Sequence, residues 1–148
     1  MTPTVMSAQV FDSGKFRVEV PDGWKLFCGT DSDGKPTPKK VFLYKGASCE
    51  TDIFTHAGIT ICFFGKEDLY FSPKDFYDNV VDIEQFMLGN YTWGGYTCTS
   101  LGYPYTMLEA RPDGCVFQVM ILTKNGEYEI SLEDTDVRRL LASIAVPQ

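Results

Sequence analysis

Two short turn signals in the last third of the chain constrain the fold most. Pro112-Asp113-Gly114 and Asn125-Gly126 each sit between apolar runs and supply residues that tolerate the positive φ of a tight hairpin. The chain must therefore double back twice within residues 103–146. The pattern predicts three antiparallel strands, over 105–111, 115–123 and 127–132. In the third, Tyr128, Ile130 and Leu132 alternate with Glu127, Glu129 and Ser131. Val137, Leu140, Leu141 and Ile144 then recur at helical spacing, so a short amphipathic helix starting near Asp134 or Thr135 closes the segment.

The rest of the chain reads as one domain over residues 1–148, a length at which a single core suffices. Phe16, Val18 and Val20 alternate with Arg17 and Glu19 and stop at Pro21-Asp22-Gly23, which predicts a half-buried strand with Trp24 folding back onto its apolar face. Residues 28–40 collect Gly, Asp, Ser, Pro and Lys and read as a surface loop. Strands follow at 41–44 and 59–64, and the continuous hydrophobicity of the second places it inside the sheet. Ser72-Pro73 has the form of a helix start, with Asp75 in the first turn. Phe76, Val80, Ile83 and Met87 recur at helical spacing, and Gly89-Asn90 has the form of a C-cap. A helix over 72–88 is expected. Residues 91–105 interleave Tyr and Trp with glycines, a pattern of extended structure with a bulge or bend.

Composition narrows the function. A formal net charge of −7 argues against a nucleic-acid ligand, since phosphate is held by concentrated Lys and Arg. The apolar runs are too short to span a bilayer, and residues 1–6 lack the basic and apolar parts of a signal peptide. A cytoplasmic protein is expected, or an envelope-associated one if a leader precedes the numbered chain. Five cysteines without a Cys-x-x-Cys pair read as free thiols.

No motif implies a cofactor or a metal. Asp31-Ser32-Asp33-Gly34 fits a turn better than a calcium loop, because Lys40 stands where the terminal Glu should be. His56, the single histidine, reads as a turn residue with no nucleophile such as Cys49 or Cys98 assigned to it. The acidic cluster at Glu127, Glu129, Glu133, Asp134 and Asp136 reads as a solvated face. The aromatic stretch and the lysines are the candidates for partner binding: Tyr91, Trp93, Tyr96 and Tyr103, with Lys39 and Lys40.

The strand leading into a Pro-x-Gly-Trp turn over 16–24, the mid-chain helix and the closing hairpin with Ala142-Ser143-Ile144 resemble the PsbP-like family. That resemblance implies an α+β fold, an α-β-α sandwich around a central antiparallel sheet, and a non-enzymatic, protein-binding role. The alternative expectation is a small-ligand or lipid carrier, with an aromatic pocket between the sheet and the 72–88 helix.

Overall fold

Alternating apolar residues in Arg17–Val20 make a strand with one buried face, and Gly14, at positive φ, turns it back onto its neighbour. The hairpin of β1 (Gln9–Asp12) and β2 (Arg17–Val20) stands apart from the main sheet. Next come β3 (Trp24–Thr30), β4 (Pro36–Lys45), β5 (Gly58–Phe64), β6 (Asp78–Leu88), β7 (Tyr91–Ser100), β8 (Tyr103–Ala110) and β9 (Val116–Leu122). These form one seven-stranded antiparallel sheet in the order β3-β4-β5-β9-β8-β7-β6. A two-stranded hairpin, β10 (Lys124–Asn125) with β11 (Tyr128–Glu129), and helix α1 (Thr135–Ala142) complete the fold. The computed structural model describes residues 9–147, and the N-terminal stretch 1–6 discussed above lies outside them.

One face of the sheet is sealed. Val41 and Leu43 of β4, Ile59 and Ile61 of β5, and Phe117, Val119 and Ile121 of β9 are all buried there. Phe16, beside β2, inserts its ring against Phe63 and, edge-on at 5.8 Å, against Phe117. Helix α1 adds Val137, Leu140 and Leu141 from one side, as its spacing predicts. Polar contacts fix its position. Asp136 accepts a hydrogen bond from Trp24 Nε1 at 3.0 Å and pairs with Lys45 Nζ at 2.9 Å, tying the first turn to β3 and β4. At the other end Arg17 and Ala145 exchange both backbone hydrogen bonds, and Gly89 lets the β6–β7 turn meet the helix closely. A Cβ on Gly89 would sit 2.1 Å from the Ala142 carbonyl oxygen.

The α-β-α sandwich expected from the sequence is not the fold. Among the described residues there is one α-helix, and the chain is predominantly antiparallel strand. The expected 72–88 helix is instead a 3-10 turn, Lys74–Phe76, followed by strand β6. The residues at helix-like spacing share no face: Ile83 packs on the sealed core, Val80 on the opposite face beside Tyr96, and Phe76 and Met87 are exposed. The register with β7 shifts between Asp78 and Val81 and again between Ile83 and Phe86, and an inserted residue turns the two-residue strand period into a step of three. Ile83, Phe86 and Leu88 thus pack on the same core without any helical turn. Gly89-Asn90 is a hairpin turn, not a helix cap.

Topology explains why this segment is extended. β5 and β6 run in the same direction at positions four strands apart, so residues 65–77 must cross the sheet and return along it. Four strand spacings and one strand length make a diagonal of nearly 30 Å, whereas a helix of these residues would supply only about 20 Å.

Two further boundaries move. The expected 28–40 loop shrinks to residues 31–35, because Asp31 Oδ1 accepts from the backbone of Asp33 and Lys35 and folds a tight turn between β3 and β4. The expected third strand over 127–132 leaves the sheet, because the free side of β9 is already paired with β5. Only Tyr128–Glu129 pairs, and with its own hairpin partner.

The Asp136 contacts carry a pH signature. Burial opposes its ionisation, but Lys45 and the Trp24 indole outweigh that and hold the carboxyl below its ordinary value. Such a group adds stability that is whole above the unfolded carboxylate pKa of about 3.9 and is lost as pH falls through the depressed folded value. In urea unfolding, Asp136→Asn should therefore be less stable than wild type near neutral pH, with the gap closing below about pH 4. A gap independent of pH would assign the loss to packing.

Candidate functional site

Among the described residues the opposite face of the sheet carries no α-helix. One row of side chains runs across it in register: Phe27, Phe42, Thr60, Met120, Met107, Tyr96 and Asp82, each opposite the next on successive strands. The adjacent row is Lys40, Cys62, Gln118, Glu109 and Gly94. Residues 65–77 form a strap across these rows. Asp68 anchors its start by accepting from Lys39 Nζ at 2.8 Å and from the Gly65 backbone at 2.8 Å. Tyr70 packs its ring on Phe64 at 4.8 Å and donates its hydroxyl to Glu109 Oε2 at 2.6 Å. Lys74 pairs with Asp82, and Tyr77 rests near Tyr96 and Tyr105.

Between strap and sheet lies a cleft of about 480 Å³. Gly94 and Gly95 of β7 floor it, Tyr70, Tyr96 and Met107 line its walls, and Lys74 and Arg111 stand at its rim. The two glycines serve different ends. A Cβ on Gly95 would lie 1.8 Å from the Met107 carbonyl oxygen, so β8 approaches too closely for any side chain. A Cβ on Gly94 would meet nothing closer than Gln85 at 3.4 Å, so its bareness leaves the cleft open without being required by packing.

The electrostatics of the cleft are set by Glu109. One oxygen accepts from Tyr70 and the other from Arg111 Nε at 2.8 Å. Arg111 lies over the Tyr70 ring at 5.5 Å, and Lys74 over the Tyr96 ring at 5.4 Å. Burial, reinforced by the hydrogen bond to Glu109, pushes the Tyr70 phenol far above its ordinary pKa. Burial pushes Tyr96 up to about 12. Both stay protonated donors at neutral pH.

The six residues singled out from the sequence do not share a surface. Trp93 is 0% exposed in the sealed core, with its indole donating to the Leu88 carbonyl, so it presents nothing to a partner. Tyr91 packs beside it against Phe117 and accepts from the Val146 backbone. Tyr96 is on the open face, largely covered, beneath Lys74. Tyr103 is exposed at the start of β8. Lys39 is held by Asp68, and Lys40 lies over Phe42 at 5.5 Å. The helix expected to wall the aromatic pocket is absent, Lys74–Phe76 being a 3-10 turn and Asp78–Leu88 a strand, and aromatic side chains instead line the cleft under the strap. Tyr70, Glu109, Arg111 and Gln118 carry no joint signal in the sequence, since the strap, the end of β8 and β9 bring them together from distant positions; the Gly94-Gly95 pair is the local signal.

His56 is buried and stacked on Tyr128 at 3.8 Å. Its Nδ1 faces Thr55 Oγ1 and the Asp52 carbonyl rather than Cys49 or Cys98. Among the described residues no helix is long and apolar enough to cross a membrane. No family model matches the chain, and no curated protein matches it.

Tyr70 fastens the strap to the sheet through a hydrogen bond to an ionised group, an interaction of about 1.5–3 kcal/mol when lost in a buried setting. Because Tyr70 is half-buried, Tyr70→Phe should cost about 1–2 kcal/mol in denaturant unfolding. Amide exchange should quicken over residues 66–76 and stay unchanged in β5 and β9. Unaltered exchange in the strap would show that the hydroxyl does not hold it.

Proposed function

We propose that the protein is a non-enzymatic interaction module that meets a protein partner through an apolar corner of its sheet. The corner forms where the strap enters β6 beside the β7–β8 turn. The observation that carries this reading is Leu101. It occupies the two-residue turn between Ser100 and Tyr103, where φ is +51° at Leu101 and +82° at Gly102. A type I′ turn of this kind favours Asn-Gly, and a left-handed conformation costs a bulky L-residue about 1–2 kcal/mol. Leu101 bears that cost while 94% exposed, so neither folding nor solubility explains it.

Its neighbours extend the patch. Pairing of Asp78 with Thr99 brings Phe76, 87% exposed, to the same end of the sheet. Tyr103, opposite Ser100 and 45% exposed, adds an aromatic ring of the kind enriched at interfaces. Scattered apolar side chains need no explanation, but a cluster at one strained turn does. The locked surroundings of His56 support the non-enzymatic part of the reading, and the net charge of −7 favours a protein over a nucleic acid.

The strain makes the test two-sided. Leu101→Asn should stabilise the fold by about 1 kcal/mol, raising the melting temperature by roughly 2–4 °C. A photo-reactive phenylalanine analogue at position 76 or 103, in the cells that make the protein, should give discrete protein adducts. The same probe at Asp33, on the exposed β3–β4 turn, should not. Leu101→Asn should abolish the adducts. Adducts that persist in that variant, or that form equally at position 33, would refute the assigned corner.

A further inference from the structure

The cleft beneath the strap is a separate feature. Gly94 lies within β7 and Leu101 in the turn just past its end, seven positions apart and hence about 23 Å along the strand direction. We infer that this cleft is a binding site for a small organic anion, a carboxylate carried on a flat ring.

Its size falls in the range of small-molecule sites, roughly 300–1,000 Å³. Its floor is bare for a reason that packing does not supply. A glycine inside a strand forfeits about 0.5–1 kcal/mol relative to alanine, and a Cβ at position 94 would make only ordinary contacts, the nearest with Gln85 at 3.4 Å. A flat group lying over the Gly94 backbone uses that space, between the Tyr70 and Tyr96 rings and against the Met107 side chain.

The charge requirement follows from donor counting. A guanidinium offers five N–H groups, and Arg111 commits Nε and one terminal nitrogen to Glu109 Oε1. Lys74 commits one of its three to Asp82. Both cations keep unused donors at the rim of one cleft, in a chain whose net charge is −7. Of the charged groups that line the cleft, Lys74 and Arg111 outnumber the one carboxylate, Glu109, whose two oxygens are taken by Tyr70 and Arg111; Asp82, paired with Lys74, is not among the lining residues. Glu109 thus acts as the positioning residue that orients Arg111 and Tyr70. A ligand carboxylate is the group that completes the remaining donors.

The glycine amides provide the readout. Benzoate, titrated into the 15N-labelled protein and followed by two-dimensional NMR, should shift the Gly94 and Gly95 amides saturably in the millimolar range or below, leaving the turn glycines Gly34 and Gly126 in place. Benzamide, with the same ring and no charge, should bind at least about tenfold more weakly. Inorganic phosphate should also bind at least about tenfold more weakly, for want of the ring. Arg111→Gln should weaken benzoate by about tenfold or more. Gly94→Val, which suits a strand, should abolish binding while keeping or raising the melting temperature. Equal binding of benzamide or of phosphate, equal shifts at Gly34 and Gly126, no shift with millimolar benzoate, or benzoate shifts that survive in folded Gly94→Val would each overturn the assignment.

Discussion

A seven-stranded sheet has two faces to keep from water, and among the described residues this chain has one α-helix with which to do it. The helix and the β1–β2 hairpin cover one face, where Phe16, Phe63 and Phe117 interlock. The other face falls to aromatic and sulfur-bearing side chains and to one extended crossing segment. That segment cannot be a continuous α-helix, because the β5-to-β6 connection has to span the sheet diagonally. The division between a sealed face and a strapped face follows from this single connection. The cleft follows as well, as the space the strap leaves over the bare backbone of β7.

Much of the framework was legible in the sequence, for local reasons. Asp113-Gly114 and Gly126 adopt the positive φ expected of them, and the 59–64 run lies between β4 and β9 because it is apolar on both faces. The spacing of Val137, Leu140 and Leu141 identified α1. The 72–88 segment failed because its helix-like apolar spacing marks no packed face: Ile83 meets the sealed core, Val80 the open face, and Phe76 and Met87 stand exposed. Its partner β7, which imposes the register shifts, is invisible to local pattern. The third meander strand failed for a related reason: whether Tyr128–Glu129 joins the sheet depends on β9 being occupied by β5, more than fifty positions earlier in the chain.

The candidate sites were less legible than the fold. Tyr and Trp in the 91–105 stretch attract attention as interface residues, yet period-two alternation sends Tyr91 and Trp93 into the sealed core and Tyr96 to the open face. Only Tyr103 reaches solvent in quantity, and it joins Leu101 and Phe76 at the corner. Two places where the chain departs from its most stable local choice are Leu101, left-handed and exposed, and Gly94, bare in mid-strand. Each lies at one of the proposed sites, which is where local and global preferences are expected to part.

The central claim is that residues 65–77 run as an extended strap over an otherwise open face, and side-chain exposure tests it most directly. Hydroxyl-radical footprinting read by mass spectrometry reports that exposure residue by residue. The strap predicts rapid labelling of Phe71, Phe76 and Leu101, with Phe16, Trp93 and Phe117 protected. Protection of Phe76 together with Val80 and Ile83, as a helix packed on the sheet would give, or labelling of Trp93 at the rate of Phe76, would contradict it.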